Sequence, residues 1–282
     1  MSSYARGFAL VMGATLVWST GGLIVRAVTV DSWTLVFWRS VSSAAFLLLF
    51  IWLSQRRAPW HAFREAGWPA IAVGACFCIG SVSFILALGL TTVANALMIQ
   101  SLSPIIAALL ARVLLKEAID ARTWIAIAIA LAGVGIMFGR APSGDDLTGT
   151  LFAFANAFAY SAAIVIVRSQ RDVPMVAGGC LSAVLAALVA LPFAHPLDVP
   201  LGEMPLLIFF GAGQLGVGMA MFTTGARFIP AAQSSLISLV ETALGPLWVW
   251  LAYDENPGPW VLAGGGLVVA ALCWHTLMRR RA

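Results

Sequence analysis

Ten apolar runs divide this chain between short charged or Pro/Gly-rich breaks, at residues 7–28, 32–53, 67–89, 93–115, 121–139, 147–168, 174–194, 204–227, 231–252 and 259–278. A helix needs roughly 20 apolar residues to cross a bilayer, so ten crossings use about 200 of the 282 residues and leave connections too short for a sizeable soluble domain. Lipid offers the backbone no hydrogen-bond partners, which restricts segments of this length to helices. The pattern predicts an all-α integral membrane protein with ten transmembrane helices. Composition agrees, with 61% hydrophobic and 10% charged residues and a mean hydropathy of +0.95, against about 25% charged in a typical soluble domain.

The net charge of +4 and pI near 9.2 do not indicate nucleic acid, because the basic residues stand singly or in pairs at the ends of apolar runs. They read as topology signals. With the N-terminus in the cytoplasm, Arg6, Arg56, Arg57, Arg64, Arg112, Lys116, Arg122, Arg168, Arg171, Arg227 and Arg279 to Arg281 fall on or near that side. Only Arg26 and Arg140 fall opposite, and Arg39 lies inside the second run. Both termini are therefore expected in the cytoplasm. The N-terminal run imitates a secretory signal, with Arg6 before it and Ser19-Thr20-Gly21 after, but its recurrence in mid-chain points to a retained helix. Cys76, Cys78, Cys180 and Cys273 lie within apolar runs, and Cys76 and Cys78 point about 200° apart on a helix. They read as packing residues, with neither a disulfide nor a metal site expected.

The recurrence is extensive. LVWSTGGLIVR, Leu16 to Arg26, is matched by FAYSAAIVIVR, Phe158 to Arg168, so that Trp18 answers Tyr160 and Ser19 answers Ser161. Gly74 to Pro104 then lies without gaps over Ala212 to Thr242, pairing Gly80 with Gly218, Phe84 with Phe222, Asn95 with Gln233 and, further on, Glu117 with Glu255. Residues 1–140 and 141–282 thus read as two copies of one five-helix unit. An odd number of spans per copy turns the second upside down in the membrane. Consistent with inversion, Lys116-Glu117 and Arg122 are basic on balance, whereas Asp254-Glu255 carries no basic residue. Inverted repeats are a recurring architecture of secondary transporters, with the substrate site near the midplane.

The aromatic-Ser openings Trp18-Ser19 and Tyr160-Ser161, Trp38-Arg39 in the second run, and SLSPIIAALLARVLLKE from Ser101 to Glu117 resemble the drug/metabolite transporter superfamily, specifically its EamA type. In the second copy a Leu-Glu-Pro pattern becomes Val240-Glu241-Thr242 with Pro246 a turn later. Within that family the chain looks most like the YddG-like exporters of aromatic amino acids. The resemblance implies secondary active export of Phe, Tyr, Trp or similar small amphipathic metabolites across a bacterial inner membrane. It implies no cofactor, and as partners a small-molecule substrate and the lipid bilayer, not nucleic acid. The oligomeric state stays open, a monomer among the options.

Helical periodicity places Phe77, Ser81 and Phe84 on one stripe of the third helix, and Leu215, Met219 and Phe222 on the matching stripe of the eighth. The stripes would line a ring-sized cavity or serve as ordinary helix packing, and Gly80 and Gly218 would permit close approach or loosen their helices. Asn95, Ile99 and Ser103 share an arc of the fourth helix, and Gln233, Ile237 and Glu241 share the equivalent arc of the ninth. Such arcs should face protein or water, since polar groups on lipid are costly. Pro104 frees the carbonyl of Gln100 and Pro246 that of Thr242, either to meet a substrate amino group or to be filled by neighbouring serines. Trp18 and Ser19, with Asn156 and Tyr160, would face a central cavity from the two halves; an interface belt is the alternative for the aromatics. Glu241 and Arg39 must be paired, hydrated or, for the glutamate, protonated, in a coupling or a structural role.

Other classes fit poorly. The chain has no HExxH, no Gly-x-Ser-x-Gly and no pair of membrane-embedded aspartates, and its single Lys116 ends a helix, so an intramembrane enzyme has no recognisable machinery. Rings of polar pore residues and a nucleotide-binding motif are missing too, and a strongly anionic substrate would want more midplane charge than Arg39 supplies.

Overall fold

The computed structural model describes residues 2–55, 58–91, 93–139, 147–173, 175–254, 256 and 258–280. Arg56, Arg57, Arg140, Glu255 and Arg281, which entered the charge and repeat arguments, lie outside the described residues. Among the described residues nine helices are long and apolar enough to cross a membrane: α1 Ser3–Arg26, α2 Ser32–Ser54, α3 Pro59–Leu90, α4 Asn95–Leu114, α5 Ala121–Phe138, α6 Leu147–Ser169, α8 Met204–Phe228, α9 Ala231–Tyr253 and α10 Pro259–Met278. The tenth, α7 Val176–Ala190, is a shorter apolar helix, continued by turns in which Leu191 and Ala194 donate to the carbonyls of Ala187 and Ala190.

Several helices are broken where their sequences compete with the backbone ladder. In α1 the Ser19 and Thr20 hydroxyls donate back to the Leu16 and Val17 carbonyls, both at 2.7 Å, and a turn at Thr20 separates Ser3–Ser19 from Gly21–Arg26. α3 begins earlier than its apolar run, because Pro59 opens a short amphipathic segment that precedes a break at Gly67, φ 53° and ψ −146°. α4 breaks between Gln100 and Ser103 ahead of Pro104. The carbonyl of Gln100 accepts from Ser103 Oγ at 2.6 Å, so the serine, not a substrate, fills that gap. In α8 the turn widens to a π-helix over Phe210–Gly216.

Contacts at the helix ends define two faces. On the N-terminal face, Tyr4 Oη donates to Gln233 Oε1 (3.2 Å), Arg122 to the Met278 carbonyl (2.9 Å) and Arg168 to the Arg227 carbonyl (2.8 Å). On the opposite face, Thr29 meets Glu203, the His195 amide donates to Thr34 Oγ1 (2.8 Å), and Tyr253 Oη donates to the Leu23 carbonyl (3.3 Å). Glu117, just past the end of α4, pairs with Arg168 of the first set and Tyr253 of α9 belongs to the second, so the α4 and α9 termini lie at opposite ends of the bundle. This is the relation expected of two inverted copies. Their equivalence reaches the backbone: among the described residues, Lys116 (φ 53°) and Asp254 (φ 57°) are the non-glycines with positive φ, and they occupy matching positions in the two copies.

The halves are interleaved in space. α1 packs on α8 and α9, α2 on α7 and α8, α3 on α6 and α7, α4 on α6 and α9, and α5 on α10. α5 and α10 approach so closely that a Cβ on Gly133 would meet the Gly264 carbonyl at 2.7 Å.

Candidate functional site

A cavity of about 120 Å3 lies near the middle of the bundle, where helices from both copies meet. α1 contributes Trp18, α2 Arg39, α3 Phe77, Gly80, Ser81 and Phe84, and α4 Gln100. α6 contributes Asn156 and Tyr160, α8 Gln214, Leu215 and Met219, and α9 Glu241. Its floor is aromatic. Phe222, fully buried, holds its ring 5.1 Å from that of Trp18, 5.9 Å from Tyr160 and 6.2 Å from Phe77, with Phe77 and Tyr160 6.1 Å apart. Tilted and edge-on pairs at these separations are the favoured arrangement for quadrupolar rings. Tyr160 is held by a 2.8 Å bond from its hydroxyl to Ser238 Oγ.

The other wall is polar. Arg39 reaches it from two turns inside α2, donating from Nη2 to Ser81 Oγ at 2.8 Å, with its guanidinium 5.2 Å from the Phe210 ring centroid. Glu241 faces the same space from the middle of α9. Arg39 and Glu241 share this space without closing into a direct ion pair. Gln214 is delivered by the π-helix, whose wide turn shifts side-chain register; its Nε2 donates to the Trp18 carbonyl at 2.8 Å, tying α8 to α1 beside the α1 break. Four buried polar atoms of the cavity residues have no hydrogen-bond partner: Trp18 Nε1, Arg39 Nε, Gln100 Oε1 and Gln214 Oε1. Orphaned buried groups normally cost stability. All four belong to residues that line this one cavity.

Of the residues singled out in sequence, Trp18, Arg39, Phe77, Ser81, Phe84, Asn156, Tyr160, Met219 and Glu241 line this cavity, with Phe222 directly beneath. The others lie elsewhere. Ser19 accepts from Trp248 Nε1 at 2.8 Å. Asn95 Nδ2 bonds Thr91 and Thr150 Oγ1 at 3.0 and 3.1 Å, Ile99 is buried among Ala87, Ala96 and Ala153, and Ile237 is buried in the main core. Gln233 meets Tyr4 and lines a separate recess of about 320 Å3 on the N-terminal face, with Glu117, Asp120 and Arg122. That recess is larger, but loop residues between helix ends form much of its wall. Gln100 and Gln214 were not foreseen, since neither follows from the apolar periodicity. Among the described residues no cluster of His, Cys, Asp and Glu could hold a metal ion.

An ion pair bridges helix ends on the N-terminal face. Glu117 Oε1 lies 2.7 Å from Arg168 Nε and 3.5 Å from Arg171 Nη2, joining the end of α4 to the end of α6, while Arg168 also holds the end of α8.

The chain is similar to two transporters of Bacillus subtilis (strain 168). It is 25% identical over 257 residues to the uncharacterized transporter YdfC, covering 86% of this chain and 81% of that one. It is 24% identical over 264 residues to the uncharacterized transporter YwfM, covering 89% and 88%. A crystal structure superimposes over 99% of this chain and 100% of its own with a TM-score of 0.85 at 21% identity, a likeness of fold. The EamA-like transporter family matches twice, at residues 5–139 and 147–277. The chain belongs to the EamA-like transporter family and is a multi-pass membrane transporter.

Proposed function

We propose that this transporter exports aromatic amino acids, or small amphipathic metabolites of similar shape, by alternating access, with its N-terminal face and both termini in the cytoplasm of a bacterial inner membrane. The observation that carries the reading is the aromatic wall formed by Trp18, Phe77, Tyr160 and Phe222 next to a polar wall bearing Arg39 and Glu241. Such a two-sided cavity fits a solute with an apolar ring and a polar head.

Volume bears on mechanism. A cavity of about 120 Å3 is smaller than the roughly 300–1,000 Å3 of typical ligand pockets, so helices must part to admit a ring. With helix ends on the N-terminal side bridged by the Glu117–Arg168 pair, loading from the cytoplasm requires that pair to open. Release then follows when the opposite side opens and the pair has reformed.

The test is uptake by proteoliposomes of labelled phenylalanine, tyrosine, tryptophan, leucine and aromatic metabolites, with and without an imposed proton gradient. Transport of the aromatic compounds is expected, weakened by Trp18→Ala. If all of them are ignored while another solute class moves, the aromatic reading fails.

A further inference from the structure

We propose that the central cavity takes its solute as a zwitterion, with Arg39 and Trp18 Nε1 receiving a carboxylate while Glu241, Gln100 and Gln214 receive an ammonium group. This rests on the amino acid reading above and gives it a residue-level basis: a free α-amino acid would be separated from the amine and the acid that share its side chain.

The argument starts from cost. An arginine or an acidic residue at the centre of a membrane helix is costly to insert, and an aromatic solute alone requires neither. If Arg39 and Glu241 served only to neutralise each other, the favourable arrangement would be a direct pair. Instead Arg39 spends Nη2 on Ser81 and leaves Nε without a partner, and Glu241 faces the same space unjoined to it.

The orphaned atoms divide by chemistry. Trp18 Nε1 and Arg39 Nε are donors, which a carboxylate needs; Gln100 Oε1 and Gln214 Oε1 are acceptors, which an ammonium needs. The orientation of Gln214 is set by its bond to the Trp18 carbonyl, which occupies Nε2 and leaves Oε1 over. A molecule with both charges on neighbouring atoms satisfies the donors, the acceptors and both ionised residues together. An amine lacking the carboxylate leaves Arg39 uncompensated, and an acid lacking the ammonium does the same to Glu241, so each deletion strands a buried group.

The test is equilibrium competition in lipid nanodiscs between labelled phenylalanine and two relatives, phenethylamine and 3-phenylpropionate. Both should bind about 10- to 100-fold more weakly than phenylalanine. Arg39→Gln should weaken phenylalanine by a similar factor and leave phenethylamine unchanged; Glu241→Gln should weaken phenylalanine and leave 3-phenylpropionate unchanged. The wild-type ligand series stands even if a variant fails to fold. Equal binding of all three compounds overturns the proposal, as does an equal loss for all three in both variants, which marks the pair as structural. If phenylalanine does not bind, the same series built on leucine decides: preference for leucine over 3-methylbutylamine and 4-methylpentanoate keeps the zwitterion site and rejects the aromatic reading. Binding of no compound in either series overturns both.

Discussion

The indole of Trp18 occupies the space that a side chain at position 218 would need: a Cβ built on Gly218 overlaps Trp18 Nε1 and Cδ1. Gly218 and Gly80 are equivalent in the two copies, and at this one the glycine exists to admit an aromatic ring into the cavity wall. Gly218→Ala should therefore force the indole out, destabilising the protein by about 1–3 kcal/mol, the usual range for overpacking, and impairing transport. Trp18→Phe should relieve part of that cost. A double-mutant cycle on unfolding in detergent checks this, and additive effects of the two substitutions would refute the contact.

The bridge between helix ends on the N-terminal face is a partly buried pair. Glu117→Gln removes the charge that meets Arg168 Nε at 2.7 Å, and should cost about 1.5–3 kcal/mol, as for a hydrogen bond between charged groups. Because the proposed mechanism has this pair close the N-terminal side, cysteines placed along the Tyr4–Gln233 contact should react faster with a hydrophilic maleimide in this variant. Unchanged labelling would show that the pair does not hold that side shut.

Lys116 and Asp254 both hold left-handed backbone at the ends of α4 and α9. That conformation costs a side chain roughly 1–2 kcal/mol, less for aspartate, and glycine adopts it freely. Lys116→Gly should raise the unfolding temperature, and Asp254→Gly should raise it less. A fall for both would contradict the backbone geometry.

The opposite face is tied across the two copies by Glu203, whose carboxylate accepts from Thr29 Oγ1 at 2.7 Å and from the Thr29 amide at 2.9 Å. The side-chain bond, then the backbone bond, holds the Glu203 carboxyl below its ordinary value of 4.5. A lowered folded-state pKa means the tie is present in full above pH 4.5 and is lost as pH falls through the lower folded value. An NMR titration of Glu203 should show the depression, and Thr29→Ala should return the group to its ordinary range.

Much of this arrangement was legible in the residues themselves. The apolar runs marked where the helices lie, although α3 starts eight residues ahead of its run because Pro59 opens it, and the matched openings and odd span count led to the expectation of inverted copies, with which the left-handed backbone of Lys116 and Asp254 agrees. The stripe Phe77, Ser81 and Phe84 reached the cavity because a regular helix preserves its 3.6-residue period. Where helices depart from that period, sequence reasoning lost its footing. Gln214 depends on a widened turn that only the Gly-rich run Phe210–Gly216 could have hinted at, and Gln100 stands at a break. The arcs holding Asn95, Ile99, Gln233 and Ile237 were expected to face protein or water, but periodicity gives a direction and not a depth, and at their depths lie helix ties and core.

The interleaving of the copies decides what can move as a block. Separating residues 1–140 from 141–282 would strip α3 from α6, α1 from α8 and α5 from α10 in one step, exposing nearly every close-packed seam. A much smaller rearrangement slides composite bundles, each assembled from both ends of the gene product, so the pivots of such a shear would fall inside helices, near Thr20, Ser101 and the π-turn, and not at the joint between the duplicated units.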